Sequence, residues 1–427
     1  MRRLILLAAF CSTNAWANAI EVYGFGASGT AQGLSSAAAP GALAAYGNPG
    51  FLTASGQGHF TLGFQGTQSA LSIDGSKRTA EPARASQHVL MGLNLPLGEV
   101  LGRRLHFGLA FQSPQKQLVT TRAQHASTPH WAFYDGYTER VASALALGLD
   151  LGAGFSVGFG AQNNVGLDGQ VNLAVDPGAE RFTERKLDFN FYGVWSPIVG
   201  LRWHLGKTHL GLSYRRQTVQ SYATPALVDV DGLDAQFTLG LGGQSHFIPD
   251  TTELAVRYQH GLRRWLSLGL VHKRWSAQPD PRLDTSLTVS GDDAEQLGLD
   301  AALAWPDPAE AWGISPAYSD TLAFALAGSW EMKPVHATLS YGFEPSPVPE
   351  QIGFYNQADG DNHQVGWGLG YDFDAALGAR GWSVMLAGRH RIYPTRSNRK
   401  ERVGDPTGDW SAGGLFHVLV LEFQRGL

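Results

Sequence analysis

Between residues 141 and 162 the chain reads VASALALGLDLGAGFSVGFGAQ, a nearly chargeless run long enough to cross a bilayer as one helix. Its periodicity says otherwise. Val141, Leu145, Leu147 and Leu149 share one parity, while Ala142, Ala144, Ala146, Gly148 and Asp150 share the other. Phe155, Val157 and Phe159 alternate in the same way with Ser156, Gly158 and Gly160. A period of two is a strand signature, whereas a helix would space its apolar residues by three and four. Each glycine of the run would also cost a helix roughly 1 kcal/mol relative to alanine. The stretch therefore predicts two strands joined by a tight turn at 150–154.

The same alternation recurs along the chain. Phe60, Leu62 and Phe64 oppose Thr61, Gly63 and Gln65, and Val365, Trp367, Leu369 and Tyr371 oppose Gln364, Gly366, Gly368 and Gly370. Strands are predicted to open near His59, His88 and Arg104, then at 141 and 155, and over 187–205, 208–218, 234–260, 265–275, 320–331, 335–344, 364–374, 381–391 and 413–424. The 234–260 stretch contains Gly242, Gly243 and Pro249; it is read as one bent strand, because two would leave an odd total. Short connections such as DLGAG, HLGKTH and EMKPVH alternate with long polar segments. That asymmetry, with an even strand count and a greasy face opposite a small or polar one, is expected of a bacterial outer-membrane barrel with both termini in the periplasm. Trp203, Trp330, Tyr371 and Trp382 near the short turns, and Tyr214, Tyr341 and Trp367 nearer the long loops, predict two interfacial girdles. The expected fold class is all-β: a 14-stranded antiparallel transmembrane β-barrel with an N-terminal lumenal plug.

Composition agrees. Of 427 residues 16% are charged and 53 are glycine, at a net charge of -5. Soluble domains average about 25% charged and about 7% glycine, and beyond the leader no stretch offers the ~20 unbroken apolar residues of a spanning helix. The small negative charge and lack of basic runs argue against a nucleic-acid partner. Residues 1–19, with Arg2 and Arg3 before an apolar core and small residues at Ala15 and Ala17, predict a signal peptide cut after Ala17 or Ala19. The sole cysteine, Cys11, lies within it behind Phe10, which argues against lipidation and leaves the mature protein without a thiol. Residues 20–58 are too apolar for a solvated tail, so they are assigned to the lumen as a plug, and 59–427 to the barrel.

Several segments carry a family resemblance. GLSSAAAPGALAAYGNPGFL, containing Asn48, Pro49 and Gly50, is similar to a plug segment ending in Asn-Pro-Ala; KTHLGLSYRR at 207–216 and SLGLVHKRWS at 267–276 resemble two strands of the same family; and YGFEPSPVPE at 341–350 resembles its strand closing on Ser-Pro-Val-Pro-Glu. These are features of the FadL-like outer-membrane transporters of long-chain fatty acids and other hydrophobic compounds, and the resemblance covers nearly the whole mature chain. It implies capture by extracellular loops, passage to an apolar lumenal site, and sideways exit through a gap beside a kinked third strand after the plug rearranges. It also implies a monomer, contact with outer-membrane lipid and no enzymatic activity. Phe423 stands four residues before the end, where a terminal aromatic for the barrel-assembly machinery is expected.

Candidate sites follow. Asn48, Pro49 and Gly50 are the expected moving turn of the plug. Trp131, Phe133, Tyr134 and Tyr137, in a long loop, form a candidate exposed patch for ligand capture. Arg104, Arg202, Arg257 and Arg389 have inward parity and are candidates to hold a ligand carboxylate. The GFGASG run lacks a βαβ context, ADGDN is an incomplete calcium loop, and the fourteen histidines show no paired ligand spacing. No cofactor, metal or catalytic constellation is expected. The alternative functions are a porin for polar solutes, a surface receptor, or an outer-membrane lipase-like enzyme.

Overall fold

The computed structural model describes residues 22–33, 37–116, 118–119, 128–134, 139–176, 181–230, 232, 234–261, 263–279, 283–296, 317–353, 355–373, 381–401 and 403–427. The expected signal peptide, 1–19, lies outside them. Fourteen strands close into an antiparallel cylinder: β1 His59–Asp74, β2 Gln87–Val100, β3 Arg103–Pro114, β4 Ala142–Gly152, β5 Phe155–Asp176, β6 Arg181–Leu205, β7 Thr208–Arg215, β8 Asp250–Gln259, β9 Arg264–Arg274, β10 Thr321–Met332, β11 Val335–Glu344, β12 Asn362–Asp372, β13 Trp382–Asn398 and β14 Trp410–Gly426. Closure is direct, since Leu62 of β1 stands opposite Met91 of β2 on one side and Phe423 of β14 on the other. A closed ladder leaves no edge to satisfy in lipid.

The alternating parity becomes an inverted protein. Phe159, Leu369 and Leu419 project from the wall at 62%, 54% and 51% exposure, while Ala144, Ala325 and Ala387 on the other parity are buried. The large apolar residues thus face outward and the small ones inward, as a lipid-facing wall requires. Trp203, Trp330 and Trp382 are exposed near the short turns, and Tyr214 and Tyr341 toward the long loops. Among the described residues no helix is long and apolar enough to cross a membrane.

Two expectations are corrected. The 234–260 stretch is two strands, Gln236–Ile248 and β8, broken at Pro249. Proline has no N–H to donate and ends the ladder. The count stays even because Gln236–Ile248 leaves the cylinder: it pairs with Thr218–Ala223, Ala226–Val230 and Leu283–Ser290 in a sheet at the long-loop end. The third strand, expected to be kinked beside a gap, pairs with β4 in unbroken register from Leu105 to Gln112, and its ladder with β2 shifts only at Pro96/Gly98, near a short turn. The incomplete ladder lies one strand earlier. β1 pairs with β2 only from His59 to Gly66; Thr67 N still donates to Ser86 O at 2.9 Å, and β1 then runs on to Asp74 against β14. Past that point the chain between the two strands joins the long loops, with Glu81 N donating to Pro129 O and Arg84 N to Tyr134 O.

Residues 22–33 and 37–58 lie against inward-facing residues around the wall, as the helix α1 Gly26–Gln32, the short turn α2 Ala44–Gly47 and a 3-10 turn Pro49–Ala54. Tyr23, Ala27, Ala31, Ala37, Ala45, Phe51 and Leu52 are buried, so the apolar core of this protein sits inside the cylinder, between the N-terminal segment and the wall.

Candidate functional site

Asn48 organises the N-terminal segment. Its Oδ1 accepts from Gly50 N at 3.0 Å, capping the 3-10 turn that Pro49 begins, while Nδ2 donates to Ala37 O at 2.8 Å and to Leu201 O at 2.9 Å. Both amide hydrogens and the carbonyl oxygen of this fully buried side chain are thereby engaged. The wall gives way at this point. A Cβ on Gly158 would lie 2.3 Å from the carbonyl carbon of Pro49, and one on Gly200 would lie 2.1 Å from Asn48 Oδ1. Glycine is required there for close approach.

Buried polar groups of the wall fasten the rest of the segment. Arg389 donates to the carbonyl oxygens of Gly29, Thr30 and Gly33 at the C-terminal end of α1. Glu422 accepts from Ala27 N at 2.8 Å, Glu253 from Ala37 N at 2.6 Å, and Ser340 donates to Ala31 O at 2.7 Å. Backbone ends that a seven-residue helix cannot satisfy are thus satisfied by the barrel. Of these wall groups parity singled out Arg389; Glu253, Glu422 and Ser340 also have inward parity, which is the signal that could have found them.

The four candidate arginines do not converge. Arg104, half exposed, pairs with Asp150 at 2.7 Å beside a short turn. Arg202 lies under the Phe51 ring and Arg257 over the Trp265 ring, at 5.6 and 4.3 Å from the centroids. Only Arg389 stands deep in the lumen, where it lines a cavity of about 70 Å³ together with Arg215, Lys273 and Glu253. A larger cavity of about 430 Å³ opens at the short-turn end, between Phe25, Gln32 and Leu43 of the N-terminal segment and Trp330, Pro334 and His336 of the wall.

The loop aromatics require a correction. Trp131 and Tyr134 are buried to within 1% of complete burial, not exposed, and Phe133 is half-buried against Trp275 at 5.2 Å; Tyr137 lies outside the described residues. The loop turns inward because its backbone finds partners there: His130 N donates to Asn356 O at 3.1 Å and Ala132 N to Ala358 O at 2.9 Å. With those groups satisfied, burial of large rings is favourable. Tyr134 then packs on Phe416 at 4.2 Å, and Phe416 stacks on Tyr23 of the N-terminal segment at 5.6 Å. Tyr134 Oη also meets the hydroxyl of Tyr393 and accepts from Arg391 at 3.1 Å. Burial drives the His130 imidazole down to about 4, so it is neutral, and drives Asp359 of the neighbouring loop up to about 7.

No protein-family model and no curated protein sequence matches the chain. Solved structures do. A FadL homologue of Pseudomonas aeruginosa superposes with a TM-score of 0.60 over 97% of this chain and 99% of its own, at 14% identity. The chain has the FadL-type barrel fold. The toluene transporter TodX of Pseudomonas putida superposes at 0.54 over 94% of this chain and 98% of its own, at 12% identity, and the monoaromatic hydrocarbon channel CymD at 0.52 over 96% and 99%, also at 12%. At these identities the likeness fixes the FadL-type architecture and leaves ligand and mechanism to this chain's own residues.

Proposed function

We propose that the protein is a passive outer-membrane transporter of hydrophobic compounds, with the N-terminal segment as a movable plug and an exit through the wall into the membrane. The observation that carries this reading is the filled lumen. A cylinder with an apolar outer surface holds its own N-terminal segment by a hydrogen bond from Asn48 to the Leu201 carbonyl and by buried hydrogen bonds to Glu253, Arg389 and Glu422, beneath the inturned Trp131–Tyr134 loop. A porin needs an open water column, and this interior does not favour one. An apolar solute gains about 0.8 kcal/mol per buried CH₂, so a packed, rearranging interior suits it. The fold shared with a FadL homologue and two hydrocarbon channels supports the same reading.

Three cations, Arg215, Lys273 and Arg389, line the 70 Å³ cavity beside Glu253, and Lys273 is also paired with Glu344 at 2.7 Å, which leaves three positive groups against two carboxylates. That balance favours an anionic head group, and long-chain fatty acids are the first substrate class to test, with aromatic hydrocarbons second. Exit is assigned to the wall between β1 and β2 above Gly66, with the short-turn end in the periplasm. The protein acts as a monomer, inserted by the barrel-assembly machinery, and has no enzymatic role. Proteoliposome uptake of labelled oleate and toluene, alongside single-channel recording, tests this. Uptake with little steady conductance is the expected result; large constant conductance without uptake refutes it.

A further inference from the structure

The lipid-facing parity of β13, β14 and β1 is interrupted at one level by polar side chains. His390, His417 and Gln68 stand in register as a row across the three strands. Their neighbours on the same outward face are Phe64, Leu415, Leu419, Leu421 and Ile392, each at least 38% exposed. The row is wired in one direction. Trp367 Nε1, which can only donate, is 3.1 Å from His390 Nε2, and His390 Nδ1 is 2.7 Å from His417 Nδ1. With its Nε2 accepting, neutral His390 carries its proton on Nδ1 and donates to His417, which must then carry its own proton on Nε2. Gly388 makes room for this, since a Cβ there would lie 2.5 Å from Trp367 Nε1.

The relay ends beside an opening. A groove of about 930 Å³ joins His390 and His417 to the lipid-facing Phe64, Leu419 and Leu421, to Gln65 and Thr67 of lumenal parity where the β1–β2 ladder stops, and to Lys116 and the largely buried Glu139 on its polar rim. His417 stands nine residues from Gly426, where β14 ends. At about 3.3 Å per residue and a tilt near 40°, that is about 23 Å above the short-turn end, close to the top of a ~25 Å apolar band. The row stands near the depth of a lipid–water boundary, with Phe64, Leu419 and Leu421 below it, Leu415 and Ile392 just above it, and Lys116 at the rim of the groove.

We propose that this groove is a membrane-side binding site for a carboxylate-headed amphiphile. Its head accepts from His417 Nε2–H near Lys116, and its tail lies along Phe64, Leu419 and Leu421. The site deepens the transporter reading by assigning the carboxylate class to the molecule met at the wall, outside the lumen. The relay from Trp367 through His390 positions the donating proton of His417.

The test uses the full-length protein in nanodiscs with dodecanoic acid carrying a diazirine in its tail, and with the headless diazirine dodecane. Adducts are mapped by mass spectrometry. The acid is expected to label Phe64, Leu419 or Leu421 at least ten-fold more than the hydrocarbon. H417F should lower acid labelling about ten-fold, as the loss of one hydrogen bond to a charged group implies, and W367F should lower it by less. Unchanged heat-modifiable mobility shows that the variants remain folded. Equal labelling by the two probes, undiminished labelling in H417F, or competition by an anionic phospholipid as strong as by unlabelled dodecanoate overturns the site. Toluene uptake by the same preparations separates the two readings: uptake retained while labelling fails removes this site alone, and uptake absent with large conductance removes the transporter reading as well.

Discussion

Asn48 Nδ2 lies 2.9 Å from the carbonyl oxygen of Leu201 and donates to it, joining the N-terminal segment to β6 at the place where Gly200 and Gly158 leave the wall without side chains. The turn is therefore held by hydrogen bonds worth about 1 kcal/mol each and by a shape that fits nothing larger than glycine. Replacing Asn48 and Pro49 together with alanine is expected to loosen residues 44–54 by about 2–3 kcal/mol and to change uptake while the barrel stays folded. Unchanged uptake in the double variant refutes the plug role.

The wall side of the same contact can be tested independently. G158A introduces a methyl 2.3 Å from the Pro49 carbonyl carbon, and the turn must move away. Hydrogen exchange over 44–54 is expected to accelerate at least ten-fold with the β4–β5–β6 ladder unaffected. Native exchange rates in G158A would show that the contact is dispensable.

Arg389 fastens three carbonyl oxygens at the end of α1. R389M strips their donor, and each buried acceptor left unsatisfied costs about 1–3 kcal/mol. Exchange and proteolysis over 26–33 should rise sharply, and oleate uptake should fall further than toluene uptake if this guanidinium also meets the ligand head. Equal loss for both substrates would assign it to fastening alone.

Trp131 fills the centre of the loop cap, edge-on to Tyr393 at 5.2 Å. W131A removes a fully buried indole, a loss on the order of 3–5 kcal/mol in a core. The cap should open, raising single-channel conductance without lowering the temperature at which the barrel unfolds. A closed, non-conducting W131A would show that the cap does not gate the lumen.

Burial raises the folded pKa of Asp359 to about 7, against an unfolded value near 3.9. Its Oδ2 accepts from Ser346 Oγ at 2.6 Å, inside the loop cap. A raised carboxyl pKa means the cap is held best below pH 4, where Asp359 is neutral in both states. That contribution is lost as pH rises from about 4 to 7. Protease clipping of 346–361 should increase across that window in the native protein, and D359N should flatten the dependence; an identical pH profile in D359N would exclude Asp359 as its source.

Residue-by-residue alternation was enough to determine the cylinder, because a strand that buries one face in lipid must swap chemistry at every position. The alternation of Leu145 with Ala146, or Leu369 with Gly368, therefore identifies wall, parity and strand count from local order alone. Even the Pro249 break changed only which segment stays in the wall. What lay beyond local order was decided in three dimensions. Trp131 and Tyr134 read as exposed until partners from residues 356–358 turned their loop inward, and four inward arginines scattered because strand register sets height as well as face. Likewise, the β1–β2 ladder stops at Gly66 because the chain after Asp74 joins distant loops. The match of Asn48 to Gly158 and Gly200, and of His390 to His417, joins residues more than a hundred or about thirty positions apart. Such contacts depend on the closing of the barrel, which no periodicity records.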